Sequence, residues 1–386
     1  MSRLLEAPAP TGQASFPAAT AMVWQGIGHG HLAVAVPGVR LAPGDALVAV
    51  ELATVCGSDL RTVRGDRTAS TPLVLGHEQV GTVVDVARGA KTSSGAKLGI
   101  GDRVVWSQTV SCGRCIRCRR GLPQLCLTAQ RYGHERMRRG WELSGGFATH
   151  VHVRAGTAIV PVPASVPAEV LAPLSCAGAT AVAALDAASD VVALCDEVVI
   201  VSGAGMLGLV VTALAARAGA RVVVSEPRAD RRELALAFGA DAVTDPAAVS
   251  RSGSLKSALH RMGRRGDTVR IAIEASGAGT AVRELVESVD AGGVVVLAGS
   301  SVPDGELVLE PAALTSRMLT LRGVDHYTSG QLERAVDFAV ECWQSVPLAA
   351  LVGQVFGLEE ASEALAAAAA GGTPRVGIAP YPRFAR

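Results

Sequence analysis

The chain of 386 residues is poor in several things at once. It carries almost no net charge, +1 at pH 7, which argues against a surface given over to nucleic acid. Lysine is nearly missing: Lys91, Lys97 and Lys256 are the only ones, and arginine supplies the remaining positive charge. That bias fits GC-rich coding and carries no functional conclusion. Charged residues make up 18% against 49% apolar, which excludes disorder over most of the chain. Eight cysteines are too sparse for a disulfide scaffold at this length. The N-terminal stretch lacks the apolar segment of a signal peptide, and residues 1–20 read as an Ala/Pro-rich flexible tail. The expected setting is cytoplasmic and reducing, where cysteines more often bind metal or do chemistry.

An unbroken membrane span is also lacking. Val198 to Ala216 is uncharged and about long enough to cross a bilayer. It divides, however, into a β-branched run, a glycine turn and an alanine/leucine run, with another strand-like run at Val222–Val224. That is strand, loop, helix, strand, the pattern of buried α/β elements.

What is present suggests two cores. From Ala21 to Ala172 short alternating or β-branched segments recur with frequent glycine, as in Ala46–Val50, Gly81–Val86 and Asp102–Trp106. This predicts a mostly β domain of irregular barrel type. From about Cys176, alanine-rich helical stretches alternate with the apolar strands Val198–Val201, Arg221–Val224, Ile271–Ile273 and Val294–Leu297, which predicts βαβ units and a parallel sheet. Helical patterns at Gln331–Trp343 and Glu359–Ala370, the latter stopping at Gly371-Gly372, precede a closing strand Val376–Ala379.

Val198–Val201 runs into Gly203-Ala204-Gly205-Met206-Leu207-Gly208, a G-x-G-x-x-G between a strand and a helix. Gly203 permits the tight turn, Gly205 lets backbone N–H groups reach a pyrophosphate, and Gly208 lets the helix pack close to the sheet. Met206 and Leu207 open the helix and complete the cofactor-binding loop. Glu226 ends the next strand, where a carboxylate binds ribose hydroxyls and repels a 2′-phosphate. This favours NAD(H) over NADP(H); Arg228, Arg231 and Arg232 nearby pull the other way, and Arg231 counts among the cofactor candidates.

Four of the eight cysteines, Cys112, Cys115, Cys118 and Cys126, lie close enough to close a tetrahedral shell, as in structural zinc sites. Disulfides are disfavoured by the compartment, and an iron–sulfur cluster by the missing run that ends in Cys-Pro. A second set is dispersed: Cys56-Gly57-Ser58-Asp59, Gly76-His77-Glu78 and Ser175-Cys176-Ala177-Gly178. Its spacing alone proves nothing, since single cysteines and histidines are commonly core residues.

Taken in order, those segments, the four-cysteine lobe, Ala172–Thr180 and the glycine loop resemble the zinc-dependent medium-chain dehydrogenase/reductase family of the alcohol dehydrogenase type, from about Ala21 onward. The resemblance implies an α/β two-domain fold: a GroES-like β-rich catalytic domain at 21–176 and 325–386, with a zinc lobe at about 109–130, and a Rossmann doubly wound domain at 177–324. It implies Cys56, His77 and Cys176 as ligands of a catalytic Zn2+, besides a structural Zn2+ on the four cysteines. Ser58 matches the hydroxyl that takes the substrate proton, Asp59 the partner that orients His77, and Glu78 the glutamate behind the metal. Arg61 stands where many relatives have a histidine of the proton relay. Arg375 matches a residue that contacts the pyrophosphate. Leu297 and Gly299 match the strand end that holds the nicotinamide carboxamide. The implied partners are a small alcohol or carbonyl substrate and a second or further copy of the chain, as homodimer or homotetramer.

Arg131–Trp141 forms a basic insert with Arg131, Arg136, Arg138 and Arg139. It reads either as a solvated loop or as an anion site. Together with Leu143–His150 it resembles a phosphonate-metabolism subgroup, which implies a phosphonate- or phosphate-bearing substrate. Two other readings compete: a same-fold reductase of conjugated C=C bonds, and a nucleic-acid binder built on the lobe with Arg114, Arg117, Arg119 and Arg120.

Overall fold

The computed structural model describes residues 18–247, 255–262, 268–299 and 307–381. The β-branched runs form strands where they are expected, most of them somewhat longer than the sequence core and Val294–Leu297 with the same bounds. Ala46–Thr54, Glu78–Val86 and Arg103–Val110 pair antiparallel in an eight-stranded curled sheet, joined by Gln130–Arg131, His150–Val153 and Thr157–Pro161. A three-stranded sheet of His31–Val36, Ala19–Trp24 and Leu73–Val74 lies beside it. Its middle strand starts at Ala19, so the first two of its residues belong to the fold and not to the tail expected over 1–20.

The second sheet is wholly parallel. Its order from one edge is Ala242–Thr244, Arg221–Ser225, Val198–Ser202, Ile271–Glu274, Val294–Leu297 and Thr320–Gly323. Strand order reverses at Val198–Ser202, and ligands bind outside the carboxyl ends of strands at such a switch point. Val198, Val199, Ile200 and Val201 are all at most 1% exposed, because helices cover both faces. Each such side chain contributes about 1.5–3 kcal/mol by leaving water. The span-like stretch is therefore a core strand and the helix Met206–Arg217. The helical stretch Ala168–Ser189 is also long and apolar enough to cross a membrane, and most of it is buried within the protein.

That stretch joins the two halves. It runs as helix Ala168–Pro173, a π turn over Leu174–Gly178 and helix Ala179–Ser189. After the parallel sheet the chain returns to the first half. Val352–Gly357 and Arg375–Ala379 pair parallel, and Arg375–Ala379 pairs antiparallel with Ala46–Thr54. Helix Ser329–Cys342 begins on a capping box made by Thr328 and Gln331. Helix Ala361–Ala370 stops at Gly371, whose φ of +78° is left-handed, as the Gly-Gly pair suggests.

Candidate active site

Three local features place the dispersed donors. Cys56 precedes the helix Gly57–Arg64, so its side chain stands at the helix start. His77 and Glu78 enter the strand Glu78–Val86 from Gly76, whose left-handed φ of +90° makes the corner. Cys176 sits on the π turn, an irregularity that recurs at functional sites. Ligand atoms of Cys56, His77, Glu78 and Cys176 all lie within 4.8 Å of one another.

Asp59 locks this arrangement. Its carboxylate accepts N–H bonds from Cys56 at 2.9 Å and Gly76 at 3.3 Å, and lies 3.5 Å from His77 Nδ1. One buried carboxylate thus ties the first segment to the second and turns Nε2 of His77 toward the cluster. Ser58 Oγ lies 3.2 Å from that Nε2. Burial opposes a charge on His77, yet Asp59 and Cys56 outweigh it and hold its pKa well above the ordinary value. Cys56, hydrogen-bonded to Cys176, is held well below the usual thiol range, and Cys176 is pushed up in turn. The pair shares a proton that a cation would displace.

Glu78 is fully buried and accepts from Thr54 Oγ1 at 2.7 Å and from Arg375 Nε and Nη2, both at 2.7 Å. Burial pushes its pKa up to about 7 against the pull of Arg375. Its remaining contacts are the Pro374 carbonyl at 3.0 Å and Cys56 Sγ at 3.5 Å, so Arg375 stands against the donor cluster. The local sequence shows a basic residue before a strand; it does not show the buried Glu78 that claims it.

The lobe gathers Cys112, Cys115, Cys118 and Cys126 within the same 4.8 Å limit. Cys115 Sγ lies 3.5 Å from Cys118 Sγ and 3.9 Å from Cys126 Sγ. Backbone N–H groups of Arg114 and Cys115 draw the Cys112 thiol below its usual range. Those of Cys118 and Leu127 bring Cys115 down to about 6, while burial and the proton shared with Cys115 push Cys118 up to about 12.

At the glycine loop the three glycines act differently. Gly203 has a φ of +96°, and a Cβ there would meet the Ser276 backbone at 2.9 Å. A Cβ on Gly208 would meet the Gly203 carbonyl oxygen at 1.8 Å. A Cβ on Gly205 would meet nothing within 4 Å, and its φ of −77° suits any residue. The protein itself does not require glycine at that position, and its small size leaves space open over the N-terminus of Met206–Arg217. Glu226, 4% exposed, accepts from Ala204 N–H at 2.8 Å and Arg228 N–H at 3.0 Å, which leaves each oxygen a second acceptor position. Arg228 is bound to Asp230 and to the Gly371 and Gly372 carbonyls, and Arg232 to the Glu226 and Pro227 carbonyls. Arg231 Nε is buried without a partner. At the next strand end, N–H groups of Ala298 and Gly299 are already given to the Glu274 carbonyl, and the Leu297 carbonyl accepts from Val324.

The basic insert is anchored. Tyr132 and Trp141 are buried in edge-to-face contact at 5.5 Å, and Arg138 and Arg154 stack on Trp141 at 5.4 and 5.3 Å. Arg136, Arg138 and Arg139 are exposed. The residues that reach the donor cluster are others. The His134 ring lies 4.8 Å from the His77 ring, and Arg67 Nη1 lies 3.4 Å from His134 Nε2. Arg67 has no motif around it, so local sequence reading passes over it.

Two family models match this chain: the alcohol dehydrogenase GroES-like domain over residues 42–164 and the zinc-binding dehydrogenase over 207–341. The 5-exo-hydroxycamphor dehydrogenase of Pseudomonas putida is 30% identical over 333 residues, 86% of this chain and 90% of its own. The chain belongs to the zinc-dependent medium-chain alcohol dehydrogenase family. As a member it is an oxidoreductase of small-molecule alcohols, with the GroES-like and Rossmann halves of that family. An alcohol dehydrogenase from Thermotoga maritima superposes with a TM-score of 0.87 at 27% identity, covering 95% of this chain and all of that one. A zinc-binding dehydrogenase from Sinorhizobium meliloti, solved with NADP, gives 0.82 at 26% identity, covering 95% of this chain and 100% of that one.

Proposed function

We propose that the chain interconverts an alcohol and its aldehyde or ketone, with hydride passing to or from a nicotinamide cofactor. The observation that carries the reading is the meeting of Cys56, His77 and Cys176 beside the Ser58 hydroxyl. Two thiols and an imidazole are the donors zinc prefers, and three protein ligands leave a position open. Bound there, the metal would supply Lewis acidity toward the substrate oxygen. Ser58 relays the substrate proton, accepting it at Oγ as its own hydroxyl proton passes on to water, Asp59 fixes the ring of His77, and Arg375 pairs with Glu78 behind the cluster. The four thiols of the lobe form a closed set suited to a structural zinc.

The open space at Gly205 fits a pyrophosphate, and Glu226 beside it favours NAD(H) over NADP(H). Arg228, spent on Asp230, is not available to a 2′-phosphate. We expect a homodimer or homotetramer. The finer reading of the substrate, a small alcohol carrying a phosphonate or phosphate, finds no support from exposed Arg136, Arg138 and Arg139. It rests on the arginine pair taken up below.

The test is zinc quantification together with a cofactor-linked assay. The expected result is about two zinc ions per chain and chelator-sensitive alcohol oxidation with NAD. One zinc or none would undo the site assignment. Turnover of an enone without any alcohol would place the chain with the C=C reductases.

A further inference from the structure

Beside the donor cluster lie two guanidinium groups that the alcohol chemistry does not use. Arg67 and Arg131 come from separate segments, the loop after helix Gly57–Arg64 and the strand Gln130–Arg131. Among the described residues neither forms an ion pair. Arg67 has the His134 ring nitrogen at 3.4 Å. Arg131 makes one long contact, 3.4 Å to the Gln124 carbonyl, and its Nε is buried with no partner. Both are partly buried, and the His134 ring stands between Arg67 and His77. Of the acids around them, Asp325 is engaged by His326, Asp59 by the Cys56 and Gly76 N–H groups and His77, and Glu135 accepts from the Arg131 backbone N–H at 3.2 Å.

Two like charges gathered in a partly dry place cost free energy unless something compensates them. A neutral alcohol compensates nothing. A planar or tetrahedral oxyanion matches a guanidinium fork, a carboxylate offsetting one of the two charges and a doubly ionised phosphonate or phosphate both. We propose that Arg67 and Arg131 bind an anionic group at the far end of the alcohol substrate, a carboxylate or a phosphonate or phosphate, and so set specificity. This deepens the proposed function and rests on it.

The test compares propan-1-ol, 3-hydroxypropanoate and 2-hydroxyethylphosphonate as substrates with NAD. Wild-type kcat/KM for at least one anionic alcohol should exceed that for propan-1-ol by about tenfold or more. Arg67→Gln and Arg131→Gln should each cut that ratio by about tenfold, and Arg67→Lys by less. Arg139→Gln, on the exposed side of the insert, should leave it unchanged. A wild-type ratio near one overturns the proposal, as does an equal loss on all three substrates in both variants. Thermal stability with methylphosphonate or acetate, read without turnover, separates the two claims. If no alcohol is oxidised, the proposed reaction fails. A rise in Tm in the wild type that disappears in Arg67→Gln and Arg131→Gln would still sustain the anion site, and no rise would overturn it.

Discussion

The two cysteine-bearing sets use the same donor chemistry in opposite ways. The lobe draws four thiols from a short stretch, three of them half-exposed, and backbone N–H groups of its own turns support the sulfur charge. The other set draws half-exposed Cys56 and Cys176 and buried His77 from three separated segments, beside buried Asp59, Glu78 and Arg375. The lobe is complete in itself, so metal there can only hold structure. The dispersed set exists only once the barrel and the π turn are assembled, and it keeps a hydroxyl and a second carboxylate at hand. Closure separates a structural site from a reactive one more clearly than ligand type does.

The largest expected effect breaks the comparison at the dispersed set. Cys56→Ser should lower kcat/KM by about a thousandfold or more, as loss of several kcal/mol of Lewis-acid stabilisation requires. Zinc content should fall from two to one per chain, with the circular dichroism of the fold retained. A variant that keeps full activity, or loses both ions, would dissolve the distinction. The counterpart in the lobe is Cys115→Ser. It should also release one zinc, but register as stability, with a loss of more than about 4 kcal/mol in urea unfolding. Folded protein lacking only catalysis would count against the structural role.

The lobe was legible in sequence because its ligands are neighbours in the chain and little else explains four cysteines so close. The glycine loop was legible for the same reason: strand, turn, helix and the later acid are contiguous. The dispersed set was not readable from spacing; only the order of several motifs, matched to a family, pointed to it. Contacts between distant segments leave no such local signal. Arg375 follows a glycine/proline turn, and only the pairing of its strand with Ala46–Thr54 carries it inward to Glu78. Arg67 stands in no motif, and tertiary packing alone brings it to His134, in the same insert as Arg131.

Arg375 sharpens the comparison, because the lobe has no buried ion pair. Arg375→Met should leave Glu78 buried without its counter-charge and cost about 3–5 kcal/mol. The double variant Arg375→Met/Glu78→Gln should recover a substantial part of that loss, measured by urea unfolding of all four proteins in a cycle. No recovery would mean that Arg375 acts through some other contact.

The smallest effect comes from a buried acid remote from both sets. Asp45 is 3% exposed and ties its own turn to the 152–155 stretch, accepting from Ala42 N–H at 3.0 Å, Ala155 N–H at 2.9 Å and His152 Nε2 at 2.8 Å. Burial alone would raise its pKa, but these bonds together hold it below the ordinary 3.8. A carboxyl depressed in the folded state adds stability that is fully present above its unfolded value and is lost as pH falls through the folded one. Asp45→Asn should therefore cost about 1–3 kcal/mol near neutral pH, and the deficit should shrink as the pH drops below 3.8 and the wild-type carboxyl itself protonates. The metal sets behave differently on acidification, because protonation of thiolate and imidazole donors would release zinc at higher pH. A zinc-release step followed by a separate, metal-independent loss that Asp45→Asn removes would assign the two phases. A single coincident transition, unchanged by the substitution, would show that the scaffold fails only when its metals leave.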